Sequence, residues 1–225
     1  LLRDLMARND SSAIRSDLAG VLVLRSKLLH ARLEFGEAGE GSKLYFLIME
    51  YVDGLNLRQL MEAGGLEPRE ALSIIPQICD ALEFAHRQGV VHRDIKPENI
   101  LLSRGQPLVT DFGIARAVSV AGGERLTATG VSVGTPAYMS PEQAEMSGLD
   151  VDTRSDVYSL GVILFELLTG EVPYKAETPT GVIFKHIQAP IPRLSDELTV
   201  FQDLIDTLLA KEREDRFQSG GEVIA

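Results

Sequence analysis

Apolar and polar positions change rhythm several times along the chain, and each change marks an element. Arg32–Gly36 and Leu44–Tyr51 are β-prone apolar runs separated by Gly36, Gly39 and Gly41, which predicts a hairpin. Asp53-Gly54 ends the second run, and Asn56 is placed to cap a short helix reaching Met61. A longer helix opens at Pro68. Ala71, Leu72, Ile75, Ile78, Leu82 and Ala85 recur at helical spacing, and Gly89 stands where a C-terminal cap belongs. Pro76 is expected to interrupt and kink this helix, because it lacks an amide donor and crowds the preceding turn. Ile100–Leu102 and Leu108–Thr110 form a second predicted hairpin across Arg104-Gly105. Next comes an irregular stretch from Gly113 to Pro141, long enough to predict a functional or unstructured loop. Beyond it, Asp156–Leu168 reads as a buried helix and Val200–Lys211 as an amphipathic one. The carboxy-terminal portion is thus expected to be mostly helical.

Composition narrows the functional classes. With 225 residues, 44% hydrophobic and 24% charged, the chain can bury a sizeable core and is not generally disordered. A net charge of −11 argues against nucleic acid or an anionic membrane as partner, since both would repel it. Residues 1–33 carry six Arg or Lys against three Asp and no Glu, so they differ in charge from the acidic remainder of the chain. Cys79 is the single cysteine, which excludes an intramolecular disulfide and fits a reducing compartment; a small buried hydrophobe is its expected role. No apolar run reaches the roughly 18 residues of a membrane span, and no secretory pattern opens the chain. A cytoplasmic segment without membrane contact is the expectation.

The chemistry concentrates in His92-Arg93-Asp94-Ile95-Lys96-Pro97-Glu98-Asn99 and in Asp111-Phe112-Gly113, whose aspartate lies twelve residues after Asn99. Phosphoryl transfer needs a divalent cation to neutralise phosphate oxygens and a positioned base to orient the attacking hydroxyl. Magnesium prefers oxygen ligands and usually takes only one or two protein carboxylates. Asp111 and the amide oxygen of Asn99 suit that task. Asp94 suits the base, and Lys96 can reach a transferring phosphate as a point charge. The intervening hairpin is expected to bring the two clusters together.

These motifs, in order and at this separation, resemble those of eukaryotic-type serine/threonine protein kinases, and most closely the bacterial Hanks-type members. The resemblance runs from about Arg32 to the last residue. Gly134-Thr135-Pro136 and Ser140-Pro141-Glu142 resemble the end of the family's activation loop. Ser155–Gly161 resembles its central buried helix, and Arg216 falls where the partner of Glu142 belongs. The implied fold is α+β and two-lobed: an incomplete β-rich small lobe over residues 1–51 and a helical large lobe over 52–225.

The resemblance also implies roles. Asp94 is the catalytic base, Lys96 steadies the γ-phosphate of ATP, and Asn99 and Asp111 hold magnesium, with manganese as a substitute. Thr135 hydrogen-bonds around Asp94 and Lys96, favouring a serine or threonine acceptor on a protein. Met49 lies at the back of the adenine pocket, Glu50 and the backbone of Val52 hydrogen-bond the base, and Leu101 packs beneath it. Asp156 holds the backbone of the catalytic loop. Arg93 is expected to pair with a phosphate on the activation loop, at Thr127 or Thr129 foremost and Ser132 after them. His92 is expected to be structural, while His30, His86 and His186 have no assigned role.

Three family features are not found. Gly20 is the only glycine before Gly36, so there is no Gly-rich phosphate loop; Val21–Leu24 is strand-like but is followed by Arg25 and Lys27, not by the strand lysine; and no glutamate precedes Glu34. In a complete relative that lysine stands roughly fifty residues before Met49, at or beyond the start of this chain. Truncation or a misplaced start is therefore the expectation, with poor turnover by this polypeptide alone, because electrostatic preorganisation over the phosphates is missing. Two alternatives stand beside the protein kinase: a pseudokinase that binds partners or nucleotide without turnover, and a small-molecule phosphotransferase. Lys96 and the Gly134–Glu142 segment argue against the last.

Overall fold

The computed structural model describes residues 34–37, 45–48, 52–64, 68–112, 136–145 and 151–225. The first predicted hairpin is present: β1 (Glu34–Glu37) pairs antiparallel with β2 (Tyr45–Ile48), Glu34 opposite Ile48 and Glu37 opposite Tyr45. A second sheet has the order β3–β4–β5 and is antiparallel throughout, from β3 (Leu55–Asn56), β4 (Ile100–Ser103) and β5 (Gln106–Val109). The predicted hairpin across Arg104-Gly105 is its β4–β5 pair. Gly54, just before β3, admits no side chain, since a Cβ there would lie 2.4 Å from the Leu102 carbonyl oxygen.

Asn56 ends β3 and caps α1 (Leu57–Glu62). Its side chain accepts from the Gln59 amide while the Gln59 side chain accepts from the Asn56 amide, a reciprocal capping box. The long helix α2 (Pro68–Arg87) continues through Pro76 without a break. The expected interruption is absent because the helix is held by burial of Ile74, Ile75, Ile78, Cys79, Leu82 and Ala85, which outweighs the roughly 3 kcal/mol that an interior proline costs. At its end Gly89 adopts φ +75°, the Val90 amide reaches back to the Ala85 carbonyl and the Gly89 amide to that of His86, closing the helix in a Schellman motif.

α2 packs against α4 (Thr153–Thr169), β5 and the short α7 (Gly220–Val223). α4 is the centre of the molecule, with every residue from Ser155 to Glu166 buried. It begins three residues earlier than its apolar pattern predicts, because the Asp152 side chain caps it through the Arg154 amide. α3 (Pro141–Ala144) and α5 (Pro179–Gln188) lie side by side. The predicted helix Val200–Lys211 is divided. Asp196–Phe201 forms a 3-10 turn and only Gln202–Leu208 is α-helical (α6). Val200 is 81% exposed and so contributes nothing to the apolar face that its place in the pattern implied.

Candidate active site

The segment that carries the candidate catalytic residues, 92–99, runs between α2 and β4 and has no regular structure before the 3-10 turn Pro97–Asn99, so its shape is set by side-chain anchors. Asp156, buried in the first turn of α4, is the chief one. Its Oδ1 accepts from the Arg93 amide at 2.8 Å and its Oδ2 from the His92 amide at 2.8 Å, as the family resemblance implies. A third donor has no counterpart in the sequence pattern: His86 on α2 places Nε2 2.7 Å from Asp156 Oδ2. Seventy residues separate the two in sequence, and nothing in the local pattern marks His86 for this contact.

His92 is buried and structural, as expected. Its Nε2 faces the Thr110 carbonyl oxygen at 2.6 Å, an acceptor only, so the proton sits there. The other nitrogen, Nδ1, accepts from the Asp94 amide at 3.2 Å. The ring also packs on Phe112, centroids 4.6 Å apart. Arg93 takes φ +70° and Asp111 φ +62°, both left-handed conformations that non-glycine residues rarely adopt without a surrounding framework to hold them.

Within this frame three of the predicted site residues meet. Lys96 Nζ donates to Asp94 Oδ2 at 2.7 Å, and Asn99 Nδ2 donates both to the Asp94 carbonyl at 2.8 Å and to Oδ2 at 3.1 Å. The Asn99 amide nitrogen is thereby committed to Asp94, which leaves its amide oxygen as the group a cation would use. Asp111 joins through Thr110. The Asn99 carbonyl accepts from the Thr110 amide at 2.9 Å and from its hydroxyl at 3.2 Å, which fastens the start of the Asp111 segment to the end of the 92–99 segment. A carboxylate and a carboxamide oxygen form a hard donor set of the kind magnesium takes with solvent and phosphate completing its shell. Among the described residues there is no cluster of three His, Cys, Asp or Glu side chains fit for a metal.

Leu101 sits on β4 opposite Asn56 of β3, so the strand that comes just after half-buried Val52 lies directly beside it. Met49, Glu50, Thr135, Thr127, Thr129 and Ser132 lie outside the described residues.

A second set of anchors holds residues 136–145. Glu142 and Arg216 form a bidentate pair, Nη1 to Oε1 at 2.8 Å and Nη2 to Oε2 at 2.9 Å, with the Arg216 side chain fully buried. Ser155 donates to Glu142 Oε1 at 2.6 Å. Burial alone would raise the Glu142 carboxyl; the hydrogen bonds and charge of Arg216 outweigh it and hold the group below the usual carboxylate range. Sequence reasoning missed a further network. Arg58 of α1 bonds Glu166 of α4 at 2.7 Å and Glu98 at 3.1 Å, and also meets the Tyr138 hydroxyl, which donates to Glu166 at 2.5 Å. It ties α1, the 92–99 segment, the 136–145 segment and α4 together. A lone arginine in a short exposed-looking helix gave no signal of it.

The fold and this anchored loop define a protein kinase domain. The profile of the protein kinase domain family matches residues 25–220, and the chain belongs to that family. Serine/threonine-protein kinase PknB of Mycolicibacterium smegmatis and PknB of Mycobacterium tuberculosis are each 39% identical over 234 aligned residues, covering all of this chain and 37% of theirs. A Bifidobacterium longum probable serine/threonine-protein kinase, pknA2, is 45% identical over 161 residues, 71% of this chain and 21% of that protein. The crystal structure of the Mycobacterium tuberculosis PknI kinase domain superposes with a TM-score of 0.65 at 27% identity, covering 95% of this chain and 76% of that one. The chain therefore spans little more than a third of the length of the PknB proteins it matches. None of its described helices is long and apolar enough to cross a membrane.

Proposed function

We propose that the protein containing this chain is an ATP-dependent serine/threonine protein kinase of the bacterial Hanks type, acting in the cytoplasm on protein substrates and using magnesium. The observation that carries this reading is the convergence of Lys96 and Asn99 on one Asp94 carboxylate, on a loop whose backbone Asp156 fastens. Asp94 is 37% exposed at its side chain, so it is open to a substrate hydroxyl. Its Oδ2 is engaged by Lys96 and Asn99; Oδ1 is the oxygen that orients the acceptor hydroxyl and takes up its proton as the phosphoryl group arrives. Lys96, already 2.7 Å from Asp94, can move toward the transferring phosphate while staying near the base. Asn99 and Asp111 are the residues that would hold magnesium, which supplies charge neutralisation on the phosphate oxygens. Thr135 favours serine or threonine, and Met49, Glu50, Val52 and Leu101 form the adenine site.

Transfer of radiolabelled phosphate from ATP to a generic protein substrate tests the proposal, comparing the parent chain with Asp94→Asn. Signal in the parent that is abolished in the variant supports it. Equal signal in both overturns Asp94 as the base, and no transfer by either folded protein supports a nucleotide- or partner-binding pseudokinase.

A further inference from the structure

The residue just before the proposed base, Arg93, is held in a left-handed conformation, φ +70°, that costs free energy and needs external restraint. Its backbone is gripped at both polar groups. The amide donates to Asp156 Oδ1 at 2.8 Å. The carbonyl accepts from Gln143 Nε2 at 2.7 Å. Gln143 comes from α3, fifty residues away in sequence.

Gln143 does two things with one amide group. Its Oε1 accepts from the Ser140 amide at 3.0 Å and from the Ser140 hydroxyl at 3.1 Å, which completes the capping box of α3. Its Nε2 then points the other way, at Arg93. The amide cannot be flipped, because Oε1 faces an N–H donor and Nε2 faces a carbonyl acceptor; reversal would break both bonds. α3 also contains Glu142, which Arg216 fixes through the buried pair. Gln143 is therefore mounted on a rigid support, and its grip on the Arg93 carbonyl is a grip on the peptide plane that leads into Asp94.

We propose that Gln143 is a positioning residue for the reaction: it sets the Arg93–Asp94 peptide, and through it the aim of the Asp94 carboxylate. The proposal rests on the kinase reading for its effect on rate, though not for its effect on the backbone.

Substituting glutamate separates the two jobs. Gln143→Glu keeps an oxygen for the Ser140 amide, and glutamate is one of the two residues that suit that place in a capping box. It also puts a carboxylate oxygen against the Arg93 carbonyl in place of a donor. Gln143→Ala removes both bonds. A purely capping role predicts that Glu behaves as the parent and only Ala is impaired. The positioning role predicts that Glu is impaired as much as Ala at the catalytic loop while α3 stays intact.

Two measurements read this on the chain. Amide hydrogen exchange should be accelerated about tenfold or more at Arg93 and Asp94 in Gln143→Glu, with Ala144 and Glu145 unchanged. Steady-state phosphoryl transfer should show kcat lowered about tenfold with the KM for ATP near the parent value. Parent-like exchange at Arg93 and Asp94 in Gln143→Glu overturns the proposal, and it does so whether or not the chain turns over ATP. Parent-like kcat in an active Gln143→Glu enzyme overturns it as well. A parent chain without transfer bears on the kinase reading alone, and the exchange data still decide the role of Gln143.

Discussion

Replacing Arg216 with alanine should be the most damaging change that touches no reacting group. Each nitrogen of the guanidinium has a partner: Nε donates to the Ala210 carbonyl at 2.7 Å, Nη1 to Glu142 at 2.8 Å and the Arg154 carbonyl at 3.2 Å, and Nη2 to Glu142 at 2.9 Å and the Lys211 carbonyl at 2.8 Å. The guanidinium also lies 4.9 Å from the centre of the Tyr158 ring. Arg216→Ala leaves Glu142 as a buried carboxylate without its cation, for which the expected loss is about 3–5 kcal/mol. Against a total of about 5–15 kcal/mol for a domain, that is a large fraction. Urea denaturation followed by far-UV circular dichroism measures it, tryptophan fluorescence being ruled out because the chain has no Trp.

The double variant Arg216→Met with Glu142→Gln should recover part of the loss, because no unpaired charge then remains inside. The pH dependence has a definite sign. In the parent, Glu142 titrates below its ordinary value of 4.5, so the pair's stabilisation is complete above that value and is lost as pH falls through the lower folded value. In Arg216→Ala the opposing effect of burial remains, the carboxyl binds a proton more readily, and the deficit relative to the parent shrinks as pH falls from the variant's raised value, above 4.5, to the parent's lowered one. A deficit under about 1 kcal/mol at neutral pH, or one that is the same at every pH, would refute this reasoning.

Two other outcomes concern the core. An alanine Cβ at Gly161 would lie 2.7 Å from Leu208 Cβ and 3.1 Å from Leu209 Cδ2, so Gly161→Ala should destabilise by about 1–2 kcal/mol despite the better helix propensity of alanine; a melting temperature equal to or above the parent's counts against this packing. Cys79 is fully buried, and burial first, then the nearby Asp80, pushes its thiol up to about 12. Its labelling by a thiol reagent at neutral pH should follow the rate of unfolding, and labelling of the native protein at the rate of a free thiol would place the residue at the surface.

Much of the site was legible because it is local. Asp94, Lys96 and Asn99 lie on one short loop, and that spacing lets the loop close on itself, Lys96 and Asn99 both reaching Asp94. The β4–β5 hairpin needed only its two apolar runs and Arg104-Gly105 between them. Local pattern also overreached. Pro76 does not end α2, because tertiary burial holds a helix that its own hydrogen bonds would not, and Val200 looks apolar yet faces solvent.

The sequence by itself determined the two hairpins, the two longest helices and the family to which the chain belongs, since these depend on residue type at short spacing. Only the folded chain decided how that loop is aimed. His86, Asp156, Gln143 and Arg58 each make a contact that spans 40 or more residues of sequence. Each contact is a hydrogen bond, effective only within about 3 Å, and a partner so distant along the chain is brought within that reach by the packing of α1, α2 and α4 around a common core and, for α3, by the buried Glu142–Arg216 pair.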